Sequence, residues 1–376
     1  MPYSSTQTHT GRISSIDIAR FFGITLVFFG HLVEQVMYLE SDAAAAQYKW
    51  IYSFHMPLFF LLAGFVAKQG KSEGRFIPFL KKRWTGRLVP YFFFSAVVLA
   101  FSFFIPGWFP TLELPEPSAY VDGILSTLTG FPSFNIPLWF LASLVGLEIL
   151  HFFLARLWAS TKALVAGIVV FYVGGYYLNH EIFFFGEGLN FWMLNLVPLG
   201  YAFYLTGILL KRLDWMRIPA SRPVLASLAA ACMIGVWLTY DLNQGPFRML
   251  DASVFLAGAP GHIFWFPLTA LLGIALVLLC ARLVPQTRFL QQMGEITLII
   301  YGLHGLFYHF INPPLAGWIG SVTLNDGWII FLLVGLLSVA SVLLAGSLAV
   351  FLQRTVPFLV GDKGITGGTV EPQYRY

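Results

Sequence analysis

Apolar runs, each close to twenty residues and separated by short polar stretches, recur along the whole of this 376-residue chain. That is the length a helix needs to cross the roughly 30 Å hydrocarbon core of a bilayer, since each helical residue advances about 1.5 Å. Inside lipid the backbone has no water to bond, so only helices and closed barrels span it. Barrel strands would alternate in polarity about every second residue, and these runs do not. The expected fold class is all-α: a polytopic integral membrane helical bundle. Composition agrees, with 57 % hydrophobic and 11 % charged residues, where soluble domains carry about 25 % charged.

Ten spans are predicted, at about Ile16–Met37, Trp50–Ala67, Leu88–Ile105, Pro137–Leu157, Ala163–Leu178, Leu194–Leu210, Val224–Tyr240, His262–Ala281, Gly294–Ile311 and Trp328–Phe351. With the N-terminus inside, nineteen of the 22 Lys and Arg residues fall in cytoplasmic segments, and Arg20 at the inner end of the first run makes twenty. Lys49 and Arg248 fall outside. Positive charge collects on the cytoplasmic side of membrane proteins, so this bias predicts an even number of spans with both termini cytoplasmic. The net charge of +4 is then a topology signal, and no nucleic-acid partner is expected. We expect one transmembrane domain over residues 1–360 and a short cytoplasmic tail over 361–376.

Cys232 and Cys280 both lie inside apolar runs, which leaves no disulfide framework and no CxxC metal site. No bound metal or cofactor is expected. The polar N-terminus is short and no small-residue cleavage site follows the first run, so that run is read as staying in the membrane. No internal repeat of the kind found in many secondary transporters is visible. The outer loop Pro106–Gly123 is rich in Pro and acids, and Asn179–Asn190 mixes aromatics with polar groups; such loops suit an acceptor site or interfacial anchoring.

The first run, SSIDIARFFGITLVFFGHLVEQ, carries Asp17, Arg20, His31 and Glu34. Ionisable groups inside a bilayer cost about 2.5–3.5 kcal/mol each on insertion scales, which makes them functional candidates. Arg20 and His31 are three helical turns apart on nearly one face, about 16 Å along the axis. Asp17 sits one turn before Arg20 and Glu34 one turn after His31, so each basic group has an acidic neighbour able to pair with it. Asp17 and Arg20 can also simply snorkel to the inner interface. His31 is too deep for that, and Glu34 is placed to fix its tautomer.

The second run begins IYSFHMPLFFLLAGF and puts His55 close to the depth of His31. KKRWTGRLVPY leads into the third, with Lys82, Arg83 and Arg87. These anchor topology, and the arginines, four apart on one face, also suit bidentate phosphate binding. PLWFLASLVGLEIL adds Trp139 and Glu148, and GEITLIIYGLHGLFYH adds Tyr301, His304 and His309. Glu148 and His304 fall at similar mid-membrane depths, which makes them possible structural partners. Spacing alone allows three functions: group transfer across the membrane, a transporter or flippase with a His/Arg polar pathway, and a structural subunit whose polar groups hold helices together.

On these motifs the chain resembles the membrane-bound acyltransferase 3 family, particularly its fucose 4-O-acetylase-like branch. IDIARFFGITLVFFGH looks like the family's first-span pattern, with its Arg and His falling on Arg20 and His31. FHMPLFFLLAGF is similar to the second-span signature and KKRWTGRLVPY to the third-span basic motif. There the two arginines are separated by three residues where the family often has two, which leaves open which of Lys82, Arg83 and Arg87 takes each role. PLWFLASL resembles a Trp-Phe-Leu segment, and GEITLIIYGLHG a late Ser-x-x-x-Tyr-Leu-x-His segment, with Thr297 and Gly302 as departures.

The resemblance implies transfer of an acyl group, most often acetyl, from cytoplasmic acyl-CoA to a hydroxyl of a carbohydrate or lipid-linked glycan. That acceptor would be met at the extracytoplasmic side of a bacterial inner membrane. Because the sequence ends soon after the last run, the extra extracytoplasmic hydrolase-like domain of some relatives is not expected. Under the resemblance, Arg20, Arg83, Arg87 and Lys82 are the acyl-CoA-binding candidates. His31, Glu34 and His55 are the catalytic candidates, and Tyr301, His304, Trp139 and Glu148 the acceptor or oxyanion candidates. Direct transfer and an acyl-histidine intermediate both stay open.

Overall fold

The computed structural model describes residues 13–67, 75–105, 117–180, 191–245 and 253–362. Helix α1 spans Ser14–Met37 and starts with Asp17 in its first turn, where a carboxylate meets the positive end of the helix dipole. Helix α2, Asp42–Tyr52, is capped by the Ser41 side chain, which accepts from the Ala44 amide. It stops at Ser53, and α3 restarts over His55–Phe65. The sequence reading made these parts of one run. Pro57 breaks it, because it has no N–H to donate and its ring crowds the carbonyl four residues back, that of Ser53. Phe54 takes up the bend with φ −144° and ψ −18°.

The same device recurs twice. Helix α4, Phe76–Arg83, passes through a π-helical turn at Trp84–Leu88 into α5, Val89–Phe104, whose second residue is Pro90. Helices α6 (Pro117–Leu128), α7 (Trp139–Leu154), α8 (Thr161–His180), α9 (Val197–Arg212), α10 (Arg222–Thr239) and α11 (Trp265–Leu283) follow. Then α12 (Arg288–Glu295) and α13 (Thr297–Leu306) lead through a second π turn, Phe307–Ile311, into α14 (Asn312–Thr323), which opens with Pro313 and Pro314. Helix α15, Gly327–Thr355, closes the described fold. π turns are rare and are frequent at functional sites.

Among the described residues, eight stretches are helices long and apolar enough to cross a membrane: Ser14–Met37, Phe76–Phe104, Ile136–Ala159, Thr161–Asn179, Phe191–Arg212, Arg222–Thr239, Trp265–Leu283 and Gly327–Thr355. They coincide with eight of the ten expected runs. The other two, Trp50–Ala67 and Gly294–Ile311, are the interrupted segments α2–α3 and α12–α13. No strand is present among the described residues beyond one isolated bridge, Val254 to Ala259. The protein is an all-α polytopic membrane bundle.

Helix α1 is central and packs against α2, α3, α11, α12, α13, α14 and α15. Helix α3 is clamped to α9 at Gly64 and Gly207, where a Cβ on either residue would collide with the Tyr204 or Leu61 carbonyl. Small residues at such crossings let backbones approach and gain dispersion contacts, which drive helix association in lipid. Of the two basic residues expected outside, Arg248 lies beyond the described residues. Lys49 is buried, with its Nζ 2.7 Å from Asp241 Oδ1. The acidic part of the first outer loop, 106–116, and residues 181–190 of the second also lie outside the described residues.

Candidate active site

Two polar stations lie along α1, as its spacing predicts. At the N-terminal station, Arg20 Nη1 donates to Asp17 Oδ1 at 3.0 Å. At the C-terminal station, His31 Nδ1 lies 2.9 Å from Glu34 Oε2. A carboxylate accepts, so the proton of the neutral imidazole sits on Nδ1 and the lone pair on Nε2. Two phenols brace the carboxylate: Tyr38 donates to Oε1 at 2.8 Å and Tyr52 to Oε2 at 3.1 Å.

His55 is wholly buried, and its Nδ1–H donates to the Ile51 carbonyl at 2.9 Å, which leaves its lone pair on Nε2 as well. It joins the station through Tyr52, whose ring centroid lies 4.7 Å from that of His55 and 6.0 Å from that of His31. The break before Pro57 creates this arrangement, because it places Tyr52 at the end of one helix and His55 at the start of the next.

From α13, His304 brings a third imidazole, with its centroid 4.9 Å from His31 and 4.4 Å from Phe28. It is 0 % exposed, and neither ring nitrogen has a hydrogen-bond partner among the described residues. Buried polar atoms are nearly always bonded, so an imidazole without a protein partner suits a substrate group. Tyr308 meets His31 edge to face at 5.0 Å and lies 6.4 Å from His304.

A second cluster forms where α7 meets the first π turn. Arg83 Nε is 3.0 Å from Glu148 Oε2, and Arg87 Nη2 is 3.7 Å from Glu148 Oε1. Arg83 also lies over the Phe79 ring at 4.6 Å. Glu148 is thus engaged with the basic motif rather than with His304, because α7 presents it to the π turn while His304 faces α1. Arg83, the last residue of α4, and Arg87, on the π turn that follows it, thus reach one carboxylate. Lys82 is exposed beside them.

Trp139 and Tyr301 belong to an aromatic wall. The Trp139 ring stacks on Phe255 at 6.1 Å, and Tyr301 meets Phe140 edge-on at 6.2 Å. The Thr297 hydroxyl donates to the Gly294 carbonyl at 2.8 Å and so ties the α12–α13 junction. Among the described residues, no group of three or more His, Cys, Asp or Glu is arranged to hold a metal ion.

The sequence pattern of the acyltransferase 3 family, described as an acyltransferase domain, matches residues 13–347 and so takes in both stations and the basic cluster. The chain belongs to the acyltransferase 3 family. Nodulation protein NolL of Mesorhizobium japonicum is 33 % identical to this chain over 86 residues, which is 22 % of this chain and 23 % of that protein. No solved structure matches it. The arrangement holds an imidazole with its tautomer fixed at His31, an adjoining imidazole at His304, and paired guanidinium groups in a separate cluster.

Sequence reasoning missed Tyr38, Tyr52 and Tyr308. Tyr38 is four residues after Glu34 and Tyr308 four after His304, a helical spacing that could have flagged them. Tyr52 is on a different helix, and only the packing of α2 on α1 brings it to Glu34.

Proposed function

We propose that this acyltransferase moves an acyl group, most simply acetyl, from cytoplasmic acyl-CoA to a hydroxyl of a carbohydrate or lipid-linked glycan at the extracytoplasmic side. This places it in a bacterial inner membrane and in the fucose 4-O-acetylase-like branch, with polysaccharide O-acetylation as its product class. The observation that carries the reading is the His31–Glu34 pair, which leaves a lone pair on an imidazole set deep in an apolar helix. Arg83 and Arg87, with Lys82 and Arg20, attract the phosphates of the donor, and guanidinium forks suit that task.

His31 Nε2 takes the proton of the acceptor hydroxyl as its oxygen attacks the thioester carbonyl. The oxyanion that forms is met by a donor N–H of His304 or by the Tyr301 hydroxyl. Collapse breaks the carbon–sulfur bond, the imidazolium returns its proton to the departing CoA thiolate, and an ester and free CoA result. Trp139 and the aromatic wall offer a surface for a sugar face. His55 packs edge-on against Tyr52 at 4.7 Å and so supports the ring that braces Glu34.

Purified protein, given labelled acetyl-CoA and a panel of glycans, transfers label on this reading, and His31→Ala abolishes transfer while the fold is retained. A wild type that neither binds CoA nor hydrolyses its thioester overturns it. Glycan flux in liposomes without any acyl donor would identify a transporter instead.

A further inference from the structure

We propose that Tyr52 is a positioning residue for the His31–Glu34 pair: its phenol holds the carboxylate against His31 Nδ1 and so keeps the lone pair on Nε2. The inference rests on the reading of His31 as the base. The Tyr52 hydroxyl lies 3.1 Å from Glu34 Oε2 and 3.2 Å from His31 Nδ1. It therefore donates to the carboxylate and turns its own oxygen toward the Nδ1–H, and both contacts favour a proton on Nδ1.

The ring is itself over-determined. It lies 3.9 Å from the Tyr48 ring on one side and 4.7 Å edge-on from His55 on the other. The end of α2 is locked by the Ser53 hydroxyl donating to the Trp50 carbonyl at 2.6 Å, and by Phe54, which fills the space that a side chain at Gly273 would need. The helix is tethered further back by Gln47, which donates to the Gly327 carbonyl at 2.8 Å, and by the Lys49–Asp241 ion pair. A donor on such a frame is preorganised, whereas the Glu34 chain alone has several rotatable bonds.

Tyr38 provides the contrast. It also donates to Glu34 but is 40 % exposed, against 9 % for Tyr52. Water can replace an exposed donor, but the loss of a buried one leaves its acceptor short of a partner.

The test uses full-length protein with 15N-labelled histidine, with the His31 resonances assigned from a His31→Gln sample. The wild type is expected to show the Nδ1–H tautomer at His31. Tyr52→Phe, which keeps the ring between Tyr48 and His55, is expected to give a tautomer mixture. It is also expected to lower kcat about ten- to a hundredfold, the worth of one hydrogen bond to a charged group, without changing KM for acetyl-CoA. Tyr38→Phe is expected to change each readout less. In a Glu34→Gln background, Tyr52→Phe should have no further effect, because the phenol acts through the carboxylate. An unchanged His31 tautomer in Tyr52→Phe overturns the inference, as do effects of the two substitutions that simply multiply. If the wild type transfers no acyl group, the proposed function falls and the spectra alone decide the role of Tyr52.

Discussion

His31 Nδ1 and Glu34 Oε2 lie 2.9 Å apart, one turn from each other on α1. The imidazole then has one tautomer and one basic nitrogen. Glu34→Gln keeps the volume but replaces the acceptor with an amide that can equally donate. General-base help is worth about 10²–10⁴-fold, so His31→Gln should lower acyl transfer by that order and Glu34→Gln by about 10²-fold. Initial rates with labelled acetyl-CoA check this, and full activity in His31→Gln would remove the base from the mechanism.

The Arg83–Glu148 contact separates binding from folding. Breaking a buried ion pair from one side costs about 3 kcal/mol, because the other charge is left behind. Arg83→Gln should therefore lower thermal stability in detergent, and adding Glu148→Gln should restore most of it. CoA affinity, measured by calorimetry, should fall in Arg83→Gln and stay low in the double variant. The loss should shrink as salt rises, since partly exposed phosphate contacts are screened. Unchanged affinity in the variants would leave both arginines as topology anchors.

His304 is a buried imidazole whose nitrogens have no partner among the described residues. His304→Phe keeps a ring against Phe28 and removes the two polar atoms, so stability should stay within about 1.5 kcal/mol of wild type. Transfer should nevertheless fall by about 10²-fold if a donor to the oxyanion is lost. Thermal melts and kcat, read together, decide between a chemical and a packing role. An active His304→Phe protein would make the residue a filler.

Pro57 breaks the second apolar segment and so separates Tyr52 from His55. Pro57→Ala restores the missing N–H and permits one continuous helix through Ser53. Misplacing groups by even an ångström costs rate steeply, so transfer should drop about tenfold or more while the protein still folds and resists heat. Hydrogen exchange at Ser53–Leu58 would show the straightened helix directly, and wild-type rates would show that the bend has no catalytic purpose.

The sequence by itself determined a good deal. Run length and the scarcity of charge dictated an all-α membrane bundle, because lipid leaves the backbone few alternatives. Helical periodicity within α1 was enough to pair Asp17 with Arg20 and His31 with Glu34, since both contacts close within one turn. Pro57, which interrupts the second run, was also there to be read, whereas the break at Ile296 between α12 and α13 has no proline to announce it.

Tertiary structure decided the contacts between helices. Spacing put Glu148 and His304 at similar depths, but α7 delivers Glu148 to Arg83 and Arg87 while His304 meets His31. Tyr52 reaches Glu34 across 18 residues of sequence, and His304 reaches His31 from the far end of the chain. Depth follows from counting residues along one helix. Which faces meet depends on small residues such as Gly64 and Gly207 and on kinks before prolines, and these act only once the whole bundle has packed.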